Sequence, residues 1–365
     1  MAHPEGKHIV VIGAGIVGAS LAYHLAAKGA TVTVVEAKDI ASGVTGTSFG
    51  WINTTRCAPD PIAALRGAAI GEYHRLQAQL PGLKIQWAGS LCYGAETDEA
   101  LPASSHQSPA SRMARSRVLE LEPHLKHPPE QALYKAEEGA LDPAQATRTL
   151  IEGAKAQGAD VRTHTQVLGF RTRHGQVVAV ETTTGMLEAD GVVIAAGTGI
   201  KALTGLLGMP LPVEASPSIF IRYTAQPGVV RTLVSNTEME VRQTPEGTVW
   251  AAQDYVGDAL QDAPSALAQQ LGEVIHKAFD GIGPLDLQTA CVGLRPIAAD
   301  GLPVIGYLPT VGGVYVCAMH PGVTLAAVVG RLACEEIIDG TPSSLLEPCR
   351  PGRFKPEPVA DSIIR

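Results

Sequence analysis

The chain has 365 residues, 45% hydrophobic and 18% charged, enough for two domains or one large discontinuous one with a sizeable core. Against 36 Asp and Glu stand 28 Lys and Arg, a formal net charge of -8 that argues against a nucleic-acid partner and, with this composition, against disorder. The six cysteines (57, 92, 291, 317, 334 and 349) form no CxxC and stand at no metal spacing with histidine. They suit structural roles in a reducing compartment, and no metal site is expected.

The first predicted element is "HIVVIG", a continuous β-branched run of the kind found in parallel strands buried on both faces. "GAGIVG" comes next, with Gly13, Gly15 and Gly18 matching G-x-G-x-x-G, and opens a helical stretch that closes at Gly29. "TVTVVE" is the next strand and ends at Glu36. The glycines permit a tight turn and close approach of a pyrophosphate to the helix N-terminus, and the acid can accept bonds from ribose hydroxyls. A bare glycine motif is weak evidence; strand, turn, helix, strand and acid in one unit is specific. Glu36 disfavours a phosphorylated ribose, and so NADP. The apolar stretch from Ile9 to Tyr23 is too short for a membrane span, ends at His24 and is followed by no cleavage site, so a cytoplasmic protein is expected.

NAD and FAD share this unit, and the segment after Glu36 bears on the choice. "AKDIASGVTGTSFGWIN" is a Gly/Ser/Thr-rich loop able to offer donors to a long cofactor. Residues 142 to 157 read as a capped helix, followed by a strand ending near Val167; "QVVAVETTTGMLEAD" reads as a hairpin and "GVVIAAGTG" as another buried strand. Residues 84 to 135, with the Ser/Pro/His loop "PASSHQSPASR", differ in texture. Residues 213 to 258 alternate as antiparallel strands with a turn at Pro245-Glu246-Gly247, and "APSALAQQLGEVIHKAF" is an amphipathic helix. The expected division is a discontinuous nucleotide domain (1–83, 136–212 and 291–365) with a substrate cap from 84–135 and 213–290.

The C-terminal third runs strand (314 to 318), turn (His320, Pro321, Gly322) and a helix from about Thr324 to Ile338, a second place where a helix N-terminus can meet an electronegative group. The bland alternative is an ordinary last helix against the sheet. Just before it, "CVGLRPIAADGLPVIG" places Arg295 in an apolar run. A buried guanidinium needs an anion, either an Asp or Glu of the protein or a substrate. The residues alone leave both open.

Together these segments resemble the D-amino-acid-oxidase superfamily of FAD-dependent amine oxidases, in particular its glycine oxidase and sarcosine oxidase branch. The resemblance rests on "VVIGAGIVGASLAYHLAAKGATVTVVE", "ASGVTGTSFG", "LELEP", "EEGALDPAQ", "ADGVVIAAGTG", "GLRPIAADGLPVIG" and "GVYVCAMHPGVTLAAVVGRL", in that order across nearly the whole chain. It implies an α/β fold: a Rossmann-like FAD domain of the glutathione-reductase type with an inserted antiparallel-sheet α+β substrate domain. It also implies an enzyme acting on CH–NH or CH–NH2 groups, oxidising C–N to an imine. By resemblance Arg295 binds the substrate carboxylate, consistent with the bidentate fork of a guanidinium. The implied cofactor contacts are Gly13, Gly15, Ile16, Val17 and Gly18; Glu36 and Ala37; Ser42, Thr47, Ser48, Gly50 and Trp51; Val167, Ala196 and Gly197; and Gly322, Val323, Thr324 and Leu325.

Departures from the family narrow the reading. Monomeric sarcosine oxidases tether FAD to a cysteine aligning near Gly293, so non-covalent FAD is expected here, with Cys291 as a core residue. Phe49 and Asn53 stand where those enzymes place His and Arg; Asn53 could still face the substrate. In the turn, Pro321 removes one N–H donor between His320 and Gly322. Tyr223 and Tyr255 could bring hydroxyls to the amino or carboxylate group, or lie at the surface. Arg222 and Arg242 are read as solvated cap cations; one pointing inward would admit a second carboxylate, as in iminodiacetate. His8, His24 and the loop histidines are given no role.

Three functional readings stand. The first is a freestanding oxidase for glycine, sarcosine, iminodiacetate or a D-amino acid, with oxygen reduced to hydrogen peroxide. The second is a dehydrogenase of the D-proline or hydroxyproline type, or one subunit of a heteromeric complex, passing electrons to another acceptor. The third is a non-catalytic flavoprotein assembly factor, which Arg295 disfavours because a scaffold has no need of such a cation. An oligomer is compatible with all three.

Overall fold

The computed structural model describes residues 6–54, 59–94, 111–255 and 263–354. Cys57, residues 102–110 of the Ser/Pro/His loop and residues 256–258 of the expected strand region lie outside them. The strands in chain order are β1 (His8–Ile12), β2 (Thr31–Val35), β3 (Trp51–Ile52), β4 (Ile85–Gln86), β5 (Ser90–Cys92), β6 (Ser111–Ala114), β7 (Gln131–Lys135), β8 (Gly139–Leu141), β9 (Asp160–Arg162) and β10 (Val167–Arg173). They continue with β11 (Gln176–Thr182), β12 (Gly185–Glu188), β13 (Gly191–Ile194), β14 (Val213–Thr224), β15 (Leu233–Ser235), β16 (Glu240–Gln243), β17 (Thr248–Asp254), β18 (Asp286–Ala298), β19 (Val304–Tyr307) and β20 (Val314–Ala318). The α-helices are α1 (Ile16–Ala27), α2 (Ala63–Gln79), α3 (Arg115–Leu121), α4 (Pro143–Ala156), α5 (Ile200–Gly205), α6 (Pro264–Ala278) and α7 (Gly322–Cys334).

Among the described residues the first sheet has the order β19-β20-β13-β1-β2-β9. It is parallel except for β19, which pairs antiparallel with β20. Its central strands are apolar throughout because both faces are covered. Val11 and Val193 pack with α1, α4 and α7, while Val10, Val192 and Ile194 pack with the α5 side. Asp142 caps α4, accepting from the N–H groups of Ala144 and Gln145, with Pro143 at the first helical position. β11 and β12 form the expected hairpin.

Three expectations need correction. The strand after α4 ends at Arg162, and Val167 instead begins the next strand, β10. The last helix starts at Gly322, because Pro321 is extended and serves as its N-cap, and its α-helical part ends at Cys334, passing into a π-turn over Glu335–Asp339. The division at 290/291 falls inside β18, which pairs with β14 from Val213↔Ala298 to Thr224↔Asp286. Arg295 therefore stands on a strand of the cap sheet, and the nucleotide sheet resumes only at β19.

That cap sheet has the order β18-β14-β17-β16-β15-β5-β7-β6. Its period-2 alternation assigns each side chain to a face. Ile219, Ile221, Tyr223, Val249 and Ala251 point to one side, where Leu267, Leu271 and Ile275 of α6 cover them. Phe220 and Trp250 point to the other, where they meet Phe49 and Trp51 from the segment at β3. A small sheet, β3-β8-β4, carries Trp51 and Ile52 along the seam. No described helix is long and apolar enough to cross a membrane.

Candidate active site

A cavity of about 1140 Å³ runs along that seam. It exceeds the roughly 300–1,000 Å³ of an ordinary small-molecule pocket and suits an extended dinucleotide with a small substrate beyond it. At one end Gly13 has φ 105°, a conformation that favours glycine, and a Cβ on Gly18 would overlap the Gly13 carbonyl. Gly15, Ile16 and Val17 form the wall there with Glu36 and Ala37. The Glu36 carboxylate is held by two backbone donors, Ala14 N–H at 2.8 Å and Lys38 N–H at 2.9 Å. Gly18 lies behind the wall as a packing residue. Thr45, which sequence reading missed, accepts the Ile16 N–H at the start of α1 at 3.1 Å.

The middle of the cleft is lined by Ser42, Thr47, Ser48, Gly50 and Trp51, facing Val167, Ala196 and Gly197. Trp51 is fixed from behind: its indole N–H donates to Glu138 at 2.9 Å. Glu138, with no solvent exposure, also accepts from Thr54 N–H at 2.6 Å, Thr54 Oγ1 at 2.8 Å and Ser90 Oγ at 2.6 Å. Lys135 Nζ lies 3.9 Å from it. A buried carboxylate is tolerable only with this degree of compensation.

At the other end the cleft is lined by Asn53, His320, Gly322, Val323 and Arg295, the last from across the seam. Thr324 and Leu325, expected at the cofactor, are buried one layer behind. Thr324 Oγ1 lies 2.8 Å from Asn53 Oδ1 and 3.1 Å from the Trp51 carbonyl. Asn53 Oδ1 also accepts from Arg66 Nη1 at 3.2 Å, while Arg66 pairs with Asp60 at 3.0 Å. Arg66 lines this end too and was not expected, since on an Ala-rich stretch of α2 it reads as one more solvated helix charge. Tyr73 from the same helix donates to the Val323 carbonyl, seating the first turn of α7. Enclosure by protein, then the cations of Arg295 and Arg66, hold His320 below the ordinary imidazole value, although its ring meets the open cleft.

Arg295 is not solitary. Its Nη2 meets Asp254 Oδ1 at 2.8 Å, Ser216 Oγ at 3.0 Å and the Pro217 carbonyl at 3.5 Å, and its buried Nε has no partner among the described residues. The two tyrosines do not join it. Tyr223 donates to the Ala268 carbonyl in the core under α6, and Tyr255 belongs to the same core cluster. Strand alternation turns both away from the cleft. Arg242 is buried, not solvated: it donates to the carbonyls of Phe49 at 2.9 Å and Leu141 at 3.0 Å, 4.0 Å over the Trp250 ring. Arg222 stacks on the same ring at 4.2 Å and does not line the cleft. Cys291 is half-buried beside Phe220. A Cβ at Gly293 would stand 2.5 Å from Thr47 Oγ1, so that position has no room for a tethering cysteine.

A family model described as FAD dependent oxidoreductase matches residues 8–336. The chain belongs to that family, and its cofactor is FAD, for which the glycine turn, the anchored Glu36 and the long cleft are suited. Among curated proteins it is 26% identical to a glycine oxidase of Bacillus licheniformis over 90% of this chain and 92% of that one. It is 33% identical to a D-amino acid dehydrogenase of Cereibacter sphaeroides over 53% of this chain and 45% of that one. The solved iminodiacetate oxidase from Chelativorans sp. superposes with TM-score 0.81 at 22% identity, covering 96% and 100% of the two chains. The chain is therefore an FAD-dependent oxidoreductase, similar over most of its length to a glycine oxidase.

Proposed function

We propose that this enzyme oxidises the C–N bond of a small amino acid or N-substituted glycine, with Arg295 holding the substrate carboxylate. The observation that carries this reading is the Arg295 guanidinium itself, on β18 across the cleft from the His320–Gly322 turn, with hydrogen-bonding capacity left over. A planar fork of donors matches a carboxylate in both charge and geometry. FAD, when bound, supplies the acceptor for the hydride leaving the substrate carbon. The protein supplies position: Arg295 fixes one end of the substrate, and the Trp51–Asn53 segment, tied to Glu138 and Thr324, forms the opposing wall. Pro321 lacks an N–H, so the N–H groups of Gly322 and Val323 at the start of α7 are the donors offered to an electronegative edge of the cofactor. His320, held neutral, adds no charge against the amine. The imine product hydrolyses in water to a carbonyl compound and an amine or ammonia. FAD is held non-covalently, in keeping with the crowding at Gly293.

Oxygen is the acceptor in the first form of the reading. The similarity to a D-amino acid dehydrogenase over about half the chain supports a second form, in which another acceptor takes the electrons. Anaerobic flavin bleaching against glycine, sarcosine, iminodiacetate, D-alanine, D-proline and hydroxyproline tests the proposal. Bleaching by one compound, lost in Arg295→Ala, is the expected result, and reoxidation on admitting air then separates oxidase from dehydrogenase. A flavin that none of the panel reduces overturns the small-amine reading.

A further inference from the structure

Arg295 spends one nitrogen on the protein and keeps another. Nη2 carries Asp254, Ser216 and Pro217, whereas Nη1 donates to none of the described residues. Asp254 pairs with Ser218 across β17 and β14, and Arg295 pairs with Ser216 across β18 and β14. Ser216 and Ser218 are two residues apart on one strand, so the acid and the base stand on the same face of the sheet with β14 between them. Both line the cavity. The Asp254 side chain is 66% exposed and that of Arg295 22%. An ion pair so open to water is weak, contributing a factor of about five or less, and is easily rearranged.

We propose that Asp254 is a specificity-determining residue of this site: it holds Arg295 when no substrate is present and accepts the substrate's amino group when Arg295 takes the carboxylate. The inference rests on the reading of Arg295 as the carboxylate anchor. An amino acid carries its cationic nitrogen within a bond or two of its carboxylate, and the Arg295–Asp254 pair offers the complementary charges side by side. A carboxylate arriving at Nη1 meets a cation already shared with Asp254. If it brings an amine, Asp254 gains an N–H donor in return; if it does not, the two anions compete for one guanidinium. Of the other groups at this end, the Asn53 oxygen is taken up by Thr324 and Arg66, Arg66 is a cation, and His320, held neutral, offers an acceptor nitrogen without charge; the carboxylates of Glu238 and Glu240 also line the cavity, but Asp254 is the one that contacts Arg295. The carboxylate accepts an N–H from either an ammonium or a neutral amine, so the contact survives the deprotonation that must precede oxidation.

The test uses the FAD-loaded protein with its flavin already reduced by dithionite, so that no turnover occurs, under anaerobic calorimetry with sarcosine and methoxyacetate, its analogue with an ether oxygen in place of the amine. In Asp254→Asn, methoxyacetate is expected to bind up to about fivefold tighter as the competing anion is removed. The ratio of sarcosine to methoxyacetate affinity is expected to fall about tenfold or more, since a charge-assisted contact is lost. Asp254→Glu, which keeps the charge, should retain the wild-type order. A sarcosine-to-methoxyacetate ratio that does not fall in Asp254→Asn, or methoxyacetate binding that is weaker there, overturns the role of Asp254. If neither probe binds the wild type, or both bind Arg295→Ala equally well, the Arg295 reading fails instead, and this inference with it.

Discussion

Glu138, on the turn between β7 and β8, accepts the indole N–H of Trp51 at 2.9 Å from a site closed to water. This bond ties the cleft wall to a carboxylate that also gathers Thr54 and Ser90. Glu138→Gln would set an NH2 group against one of these donors. We expect a loss of about 1–3 kcal/mol in stability, because a buried donor is left facing that NH2 group. Urea unfolding measures it, and a loss below about 1 kcal/mol would show the network to be dispensable.

Arg295→Lys preserves the charge and removes the fork. KM for a carboxylate substrate is expected to rise roughly 10- to 100-fold, the equivalent of one charge-assisted hydrogen bond. Stability should change little, since the Asp254 pair is open to solvent. Steady-state kinetics beside a thermal melt separate the two effects.

Gly293→Ala pushes a methyl against Thr47 Oγ1 in the cleft wall. The expected cost is about 1–3 kcal/mol with weaker FAD retention, as for other overpacked sites. Thr47→Ala in the same chain should recover part of that loss, and a double-mutant cycle read by FAD affinity would detect the coupling. Strict additivity would mean that the two residues do not press on one another.

His24 on α1 is buried, and desolvation, opposed by Glu72 and reinforced by Arg75 and Arg331, lowers its pKa to about 4. Between that value and the ordinary 6.5 the unfolded chain binds a proton that the native chain refuses, so stability rises with pH across this window. Acidification from pH 6.5 to 4 is expected to remove up to about 3 kcal/mol through this group. His24→Leu should flatten the profile in that interval; an unchanged slope in melts taken at closely spaced pH values would assign the acid sensitivity elsewhere.

The dinucleotide half of the molecule was legible at once. β1, the glycine turn, α1, β2 and Glu36 are contiguous, and each is announced by a short-range pattern: a β-branched run, a glycine spacing, a terminal acid. The cap was legible only as a texture of alternating strands. The sequence marks Tyr223 and Tyr255 as polar aromatics near the right place. Which face each occupies depends on how β14 and β17 lie between α6 and the cleft, and no local pattern carries that.

The same contrast holds at the residues that matter most. Arg295 is conspicuous in its apolar run, but its partner Asp254 lies on another strand and meets it only because β14 brings β17 and β18 onto one face. Arg66 and Glu138 look like ordinary helix and turn charges until α2 and the β7–β8 turn are folded against the Trp51–Asn53 strip. Covalent order and side-chain period suffice for the elements and the cofactor turn, because those interactions act between near neighbours in the chain. The substrate end is built from segments far apart in the chain, and its charge pairs come into being when strand register and domain packing bring them within hydrogen-bonding distance.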